Sequence, residues 1–429
     1  MPKQSRDQLD DLLHFLDDSP TSWHAVDNVK ARLLSAGYAE LQENETWKLS
    51  KGSSYFVIRQ GSLCAFSVPK EKPIQFKVLA SHTDSPGLKL KPNAEYSKEN
   101  MLFLGLEIYG SPLLSSWLNR DLGIAGRILF LNSKGKIEER LVKIEDQPVV
   151  IPQLAIHLDR EVNTKGLLLD KQTHIAALAS VTSHISPDKY LENLLKKSFS
   201  FDKLLAHDLF LFPLEKAAYV GSENSMIASY RIDSLISIHA IVEAFYHSKK
   251  FQKSVIPVMM LSDNEEIGSE TAQGAGSSFF ANILERIILA LELSKEEFFK
   301  INSNSLCLSV DLAHAFLPNY AEKYEPQHQV LMEKGIAIKF SAQQRYASEA
   351  TGAATIVNLC LNNKIPYQQF VTRSDIPCGS TIGPIHARNL GMSTVDIGCP
   401  QLSMHSCREL TSAKDYLYMN ALLKAFLAG

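Results

Sequence analysis

Three short apolar runs in this chain each stop on a cluster of histidine or acidic residues, and that repeated ending limits the fold more than any other feature. Residues 76–81 run into His82-Thr83-Asp84, residues 254–261 into Asp263-Asn264-Glu265-Glu266, and residues 306–310 into Asp311-Leu312-Ala313-His314. Buried strands of this kind alternate with stretches of helical periodicity: Leu235, Ile238, Ile241, Val242 and Phe245, and a further helix over residues 279–293. Alternation of this type predicts an α/β fold with a mostly parallel central sheet and helices on its faces. In such sheets ligands gather at the carboxyl ends of the strands, which is where the polar clusters fall.

The rest of the chain divides by texture. Two helices are expected first, from Leu9, Leu12, Leu13 and Leu16 and then from Trp23, Val26, Val29 and Leu33. Residues 55–58 and 63–68 read as strands of a meander. Between residues 94 and 225 the pattern becomes short strands joined by turns, over residues 102–109, 126–131, 136–144 and 147–154, followed by one helix opened by Ser186-Pro187. This predicts a β-rich insert over 94–225 between two parts of one α/β domain, 1–93 and 226–429. The length of 429 residues allows two to three domains.

Charge removes several classes of function. With 44 basic and 47 acidic residues the net charge is −3, so there is no bulk positive field for nucleic acid or an anionic membrane. No apolar run approaches the roughly 18 residues of a membrane span, and the N-terminus lacks an apolar signal core. The six cysteines show no CxxC pair and no regular spacing, which fits reduced thiols. A cytoplasmic location is the expectation.

The polar clusters suit a metal. Divalent cations of the zinc type bind N and O donors of His, Asp and Glu, and a catalytic pair about 3.5–4 Å apart needs a shared carboxylate and terminal ligands for each ion. Asp233 suits the bridge, His82 and Asp311 one ion, and Glu266 with His405 the other. Glu265 then remains beside a ligand, where it can act as general base. Each group has a plainer explanation taken singly, as a capping residue or a satisfied histidine. The case lies in their joint placement at strand and helix ends.

The words Ala80-Ser81-His82-Thr83-Asp84-Ser85-Pro86, Arg231-Ile232-Asp233-Ser234-Leu235, Asp263-Asn264-Glu265-Glu266-Ile267-Gly268-Ser269, Gln344-Arg345-Tyr346-Ala347 and Met404-His405-Ser406 occur in the order found in the aspartyl aminopeptidase family of dinuclear zinc exopeptidases. Residues 117–126 (WLNRDLGIAG), 151–160 (IPQLAIHLDR) and 377–384 (PCGSTIGP) also resemble that family, so the match covers nearly the whole chain.

The resemblance implies a zinc-peptidase domain interrupted by a β-rich dimerisation domain, with dimers assembled into a dodecamer. It implies removal of the N-terminal residue of short peptides, with preference for Asp or Glu. Two zinc ions per subunit would be held by His82, Asp311, Glu266 and His405 and bridged by Asp233. A hydroxide bridging them would attack the scissile carbonyl, with Glu265 as general base. Asp84 resembles the carboxylate that orients the zinc-bound imidazole. His157 stands where the family presents a histidine to a neighbouring subunit, and His314, Lys339 and Tyr346 match substrate-contacting positions. Asn119-Arg120-Asp121 departs from the family's Asp-Arg-Asp, and Leu317 replaces a frequent histidine. Neither departure removes a ligand. The alternatives are the same chemistry on neutral residues such as Leu, an amidohydrolase or carboxypeptidase on a related site, and a non-catalytic, metal-stabilised assembly protein.

Overall fold

The computed structural model describes residues 3–181, 186–247 and 253–428, and within these the chain forms two compact units. The first comprises residues 1–85, 217–404 and 409–429, and the second residues 86–216 and 405–408.

In the first unit four parallel strands form the centre of a twelve-stranded sheet, in the order Val255–Ser262, Gln75–His82, Leu306–His314 and Ser393–Leu402. The hairpin Ser54–Arg59 and Ser62–Ser67 adds antiparallel strands on one side, and Glu409–Ser412 with Met226–Ser229 extends the other. The period-two alternation of a strand sends successive side chains to opposite faces, and both faces are covered. Phe76, Val78 and Ala80 pack against Phe279–Ala290 and Ile382–Leu390, through Phe279, Ile283, Ile287 and Ile382. Leu79, Val310, Val395 and Ile397 pack instead with Leu235, Ile238, Ile241, Leu422 and Leu423, from Ile232–His247 and Ala413–Ala428. Each fully buried aliphatic or aromatic side chain here contributes about 1.5–3 kcal/mol. Helices packed on both faces of the sheet fix where its strand ends lie.

The second unit is an antiparallel sheet of six strands, ordered Ile137–Val149, Leu122–Leu131, Lys203–Pro213, Gly87–Lys98, Met101–Tyr109 and Ala176–Ser180. Its inner residues include Leu88, Leu104, Leu106, Ile124, Ile128 and Leu209. Asp208 accepts from Lys89 at 2.7 Å and Arg127 at 2.8 Å, tying three neighbouring strands together.

The second unit begins at Pro86 and ends at Lys216, whereas the expected insert ran from 94 to 225. The reason is that Gly87-Leu88-Lys89-Leu90 already alternates in and out of the antiparallel sheet, pairing with Tyr109 and Ile108. The separate strand expected at residues 147–154 is absent. The preceding strand instead continues through Pro148 to Val149, with a register irregularity opposite Leu122 and Ile124 absorbing the proline, and residues 152–155 are irregular. The helix expected to open at Ser186-Pro187 begins at Tyr190 and runs only to Lys196.

Candidate active site

The parallel register carries the polar clusters to one edge of the central sheet. Ser262 lies opposite His82, Ser309 opposite Ala80, and Asp311 opposite Gly398. His82, Asp84, Asp263 to Glu266 and Asp311 therefore leave neighbouring strands at the same end. Asp233 enters from the first turn of Ile232–His247, where its φ and ψ are not helical.

His82 is buried, and its two ring nitrogens face different partners. Nδ1 is 3.1 Å from the Asp84 carbonyl oxygen; a carbonyl only accepts, so Nδ1 carries a proton and Nε2 points to the acids. Nε2 lies 3.1 Å from Asp233 Oδ1 and 3.4 Å from Asp311 Oδ1. Burial opposes charge on this imidazole, but Asp233, Asp311 and Asp84 outweigh it and raise its pKa well above the usual histidine value. The donor atoms of His82, Asp233 and Asp311 all lie within 4.8 Å of one another, and so do those of His82, Glu265 and Glu266.

Glu265 and Glu266 sit on the short helical turn Glu265–Ile267, between Asn264 at φ 66° and Gly268 at φ 98°. Burial pushes the Glu265 carboxyl up to about 8, with Asp311, Asp84 and Asp233 adding to the rise while His82 opposes it. Glu266 is raised well above the carboxylate range, by burial first and by Glu265 and Asp233 next. Asp311 goes the other way: despite burial, Lys339 and His82 hold it far below the usual range.

Asp84 meets both the imidazole and the glutamate turn. Its carboxylate accepts the backbone N–H of Glu265 at 3.0 Å and of Glu266 at 3.1 Å, whereas its closest approach to His82 Nδ1 is 3.6 Å. The backbone carbonyl of Asp84 orients the imidazole, and the side chain fixes the turn that presents both glutamates.

Lys339 is buried on the strand Ile336–Phe340, where it donates to Asp311 Oδ2 at 3.0 Å and to the Leu312 carbonyl at 2.8 Å. Its ammonium lies 5.1 Å from the centre of the Tyr346 ring. Tyr346 is buried against Phe370, with ring centroids 6.0 Å apart, and His314, exposed at the end of its strand, stands edge-on to the same Phe370 at 6.1 Å. His314, Lys339 and Tyr346 thus cluster around Phe370 and Asp311. His405, at φ 67°, groups with the second unit, its Nδ1 3.2 Å from the Ser111 carbonyl. His157 is exposed on a turn of the second unit.

Five further residues support the site. Asp263 is buried beneath the glutamate turn, and burial together with Asp84 pushes its carboxyl up to about 7. Gly61 leaves the space for it, since a Cβ there would lie 2.2 Å from Asp263 Oδ2. Arg231 is buried and donates to the Thr83 carbonyl, and Glu409 accepts the Asp233 N–H at 3.0 Å. Asp396, fully buried, accepts from the Ala347 N–H at 2.6 Å and the Thr381 hydroxyl at 2.7 Å, fixing the segment that carries Tyr346.

The carboxylates of Asp233, Glu265, Glu266 and Asp311 gather with the His82 imidazole at this edge of the sheet, and Lys339 is ion-paired to Asp311. A divalent cation between them would replace the proton that His82 otherwise holds and offset the surplus negative charge. The donors, nitrogen and carboxylate oxygen without thiolate, fit zinc.

A strand-edge cluster of this composition, with a spare glutamate beside the donors, defines the class as a metal-dependent hydrolase. The chain belongs to the M18 family, described as aminopeptidase I zinc metalloprotease, whose pattern matches residues 15–427. A probable M18 family aminopeptidase 2 of Clostridium novyi is 38% identical over 424 residues, covering 97% of each chain. The structure is similar to a chain in a cryo-EM structure of the Ape4 and Nbr1 complex, with 36% identity and a TM-score of 0.94 over 99% of this chain and 86% of that one. It is also similar to a chain of the S. cerevisiae mApe1 dodecamer, at 26% identity and a TM-score of 0.84 over 99% of this chain and 96% of that one. The protein is therefore a member of a family of zinc aminopeptidases.

Proposed function

We propose that this chain is a dizinc aminopeptidase that removes the N-terminal residue of short peptides, preferring Asp or Glu. The observation that carries the reading is the group His82, Asp233 and Asp311, whose donor atoms lie within 4.8 Å of one another, with Glu265 and Glu266 gathered on the same histidine. In this reading His82 and Asp311 hold one ion, Glu266 and His405 the other, and Asp233 bridges. Zinc bound there would polarise the scissile carbonyl and acidify water.

The chain's own residues do the rest. Glu265 takes the proton of the attacking water and passes it to the leaving amine. Asp84 holds Glu265 and Glu266 in register through their backbone N–H groups. Tyr346 and His314 offer hydrogen bonds toward the developing oxyanion.

Oligomer formation is part of the proposal. The second unit exposes Leu154, Ile156, Leu158 and Leu168, the last two at 75% and 87%, on the segment that also carries His157. An apolar surface of this kind marks a protein contact, and one mature Ape1 relative is a dodecamer. In such an assembly His157 would serve a neighbouring copy. The six cysteines are all free thiols, in keeping with a cytoplasmic location, and among the described residues no helix is long and apolar enough to cross a membrane.

One observation favours a second reading. Lys339, the cation assigned to an acidic substrate, is already committed to Asp311 and the Leu312 carbonyl, which leaves the site open to neutral residues such as Leu. Metal analysis of the purified protein, with initial rates on Asp-, Glu- and Leu-terminated dipeptides and on an N-acetylated control, separates the readings. Two zinc ions per chain, faster cleavage of the acidic peptides and no cleavage of the blocked one are expected. Activity confined to Leu would defeat the acidic assignment, and cleavage of the blocked peptide would defeat exopeptidase action.

A further inference from the structure

A cleft of about 300 Å³ opens beside His314, bounded by Lys323, Glu325, His328, Phe370 and Arg373. His314 lies three residues beyond Asp311 on one strand, which at about 3.3 Å per residue places their backbones about 10 Å apart. That is the length of two to three residues of extended peptide. A short peptide held with its scissile bond near Asp311 can therefore place a group in this cleft.

The cleft is built from fixed parts. Arg373 joins its two walls: Nε and Nη2 donate to Asp375 at 2.7 and 3.1 Å, and Nη1 donates to the Glu322 carbonyl on the turn Pro318–Lys323. The Glu325 carboxylate accepts from His328 Nδ1 at 2.6 Å. These bonds occupy the acid on the cleft wall and one of the two cations. Lys323 forms no hydrogen bond or close ion pair among the described residues, and its charge bears on Asp375, whose carboxylate Arg373 already holds. Lys339, by contrast, is buried and bound to Asp311.

We propose that this cleft binds a carboxylate of the peptide substrate through Lys323. The carboxylate has two possible sources, the side chain of an N-terminal Asp or Glu and the C-terminus of a dipeptide or tripeptide. The inference rests on the aminopeptidase reading and moves its acid-reading residue from Lys339 to Lys323.

The test compares the zinc-loaded full chain with its Lys323→Met and Lys323→Arg variants on four peptides: Asp-Ala, Asp-Ala amide, Leu-Ala and Leu-Ala amide. Ratios of kcat/KM within one preparation do not depend on how much of a variant is folded. In Lys323→Met one ratio is expected to fall about fivefold, the size of a partly exposed ion pair, and Lys323→Arg is expected to restore most of it. A fall in the Asp-to-Leu ratio identifies the side chain as the ligand, and a fall in the acid-to-amide ratio identifies the C-terminus. Both ratios unchanged, in an enzyme that cleaves the peptides, would overturn the cleft and leave the aminopeptidase reading standing. No cleavage of any peptide by the wild-type chain would overturn both.

Discussion

Both oxygens of Asp84 are spent on backbone N–H groups, and this sets how far single residues can be changed. Asp84→Asn keeps one acceptor and turns an N–H₂ toward the second amide, leaving a buried donor unmet at a cost of about 1–3 kcal/mol. Because the disturbed turn presents Glu265 and Glu266, zinc affinity measured by chelator competition is expected to fall about 10–100-fold; an unchanged affinity would show that the turn holds without Asp84. At this scale the sequence makes His82, Asp233, Glu266 and Asp311 visible, because each follows a strand or opens a helix. Asp396 and Glu409 are not visible, since their partners Ala347, Thr381 and Asp233 are distant in sequence, and Asp263, although it opens a visible cluster, gives no sign of its close approach to Gly61. Lys339 matched a substrate-contacting position, yet only its placement beside Asp311 reveals its ion pair.

The helix Ile382–Leu390 carries the clearest consequence at the scale of elements. His386 lies on its buried face, edge-on to Phe280, with neither ring nitrogen hydrogen-bonded among the described residues. Burial lowers its pKa from 6.5 to about 4. The folded state therefore favours the neutral ring, and the unfolded chain binds the extra proton first. The stability contributed by the neutral form is complete above pH 6.5 and is lost as pH falls toward 4. His386→Leu is expected to raise the melting temperature and to flatten its decline between those values, as read by thermal scans across pH; a parallel decline in wild type and variant would contradict this. Neither this helix nor the burial of a histidine on it is read from the sequence pattern. The antiparallel strands were harder to delimit: two strands are expected over residues 136–144 and 147–154, and only the irregular pairing opposite Leu122 and Ile124 shows that one strand runs on to Val149.

For the molecule as a whole, the two-unit division explains why residues far apart in the chain belong together. The chain leaves the first unit after Ser85 and returns at Ala217, so His82 and Asp84 precede the second unit while Asp233 to Asp311 follow it. Texture places the expected insert at 94–225, and its first boundary falls inside the alternating strand Gly87–Lys98. The site's surplus of carboxylates makes stability depend on the cation. At a metal concentration about 100 times Kd, binding adds about 2.7 kcal/mol, so chelation is expected to lower the melting temperature by several degrees and zinc to restore it. No shift on chelation would mean that the acids are accommodated without metal. On the second unit, Leu158→Asp is expected to reduce the assembly size seen by light scattering, and an unchanged mass would place the contact elsewhere. The most direct test of the account is turnover by Glu265→Gln at measured zinc content. Zinc near the wild-type level with turnover reduced by at least about a hundredfold is expected of a lost general base, whereas undiminished turnover with zinc in place would contradict the role assigned to Glu265.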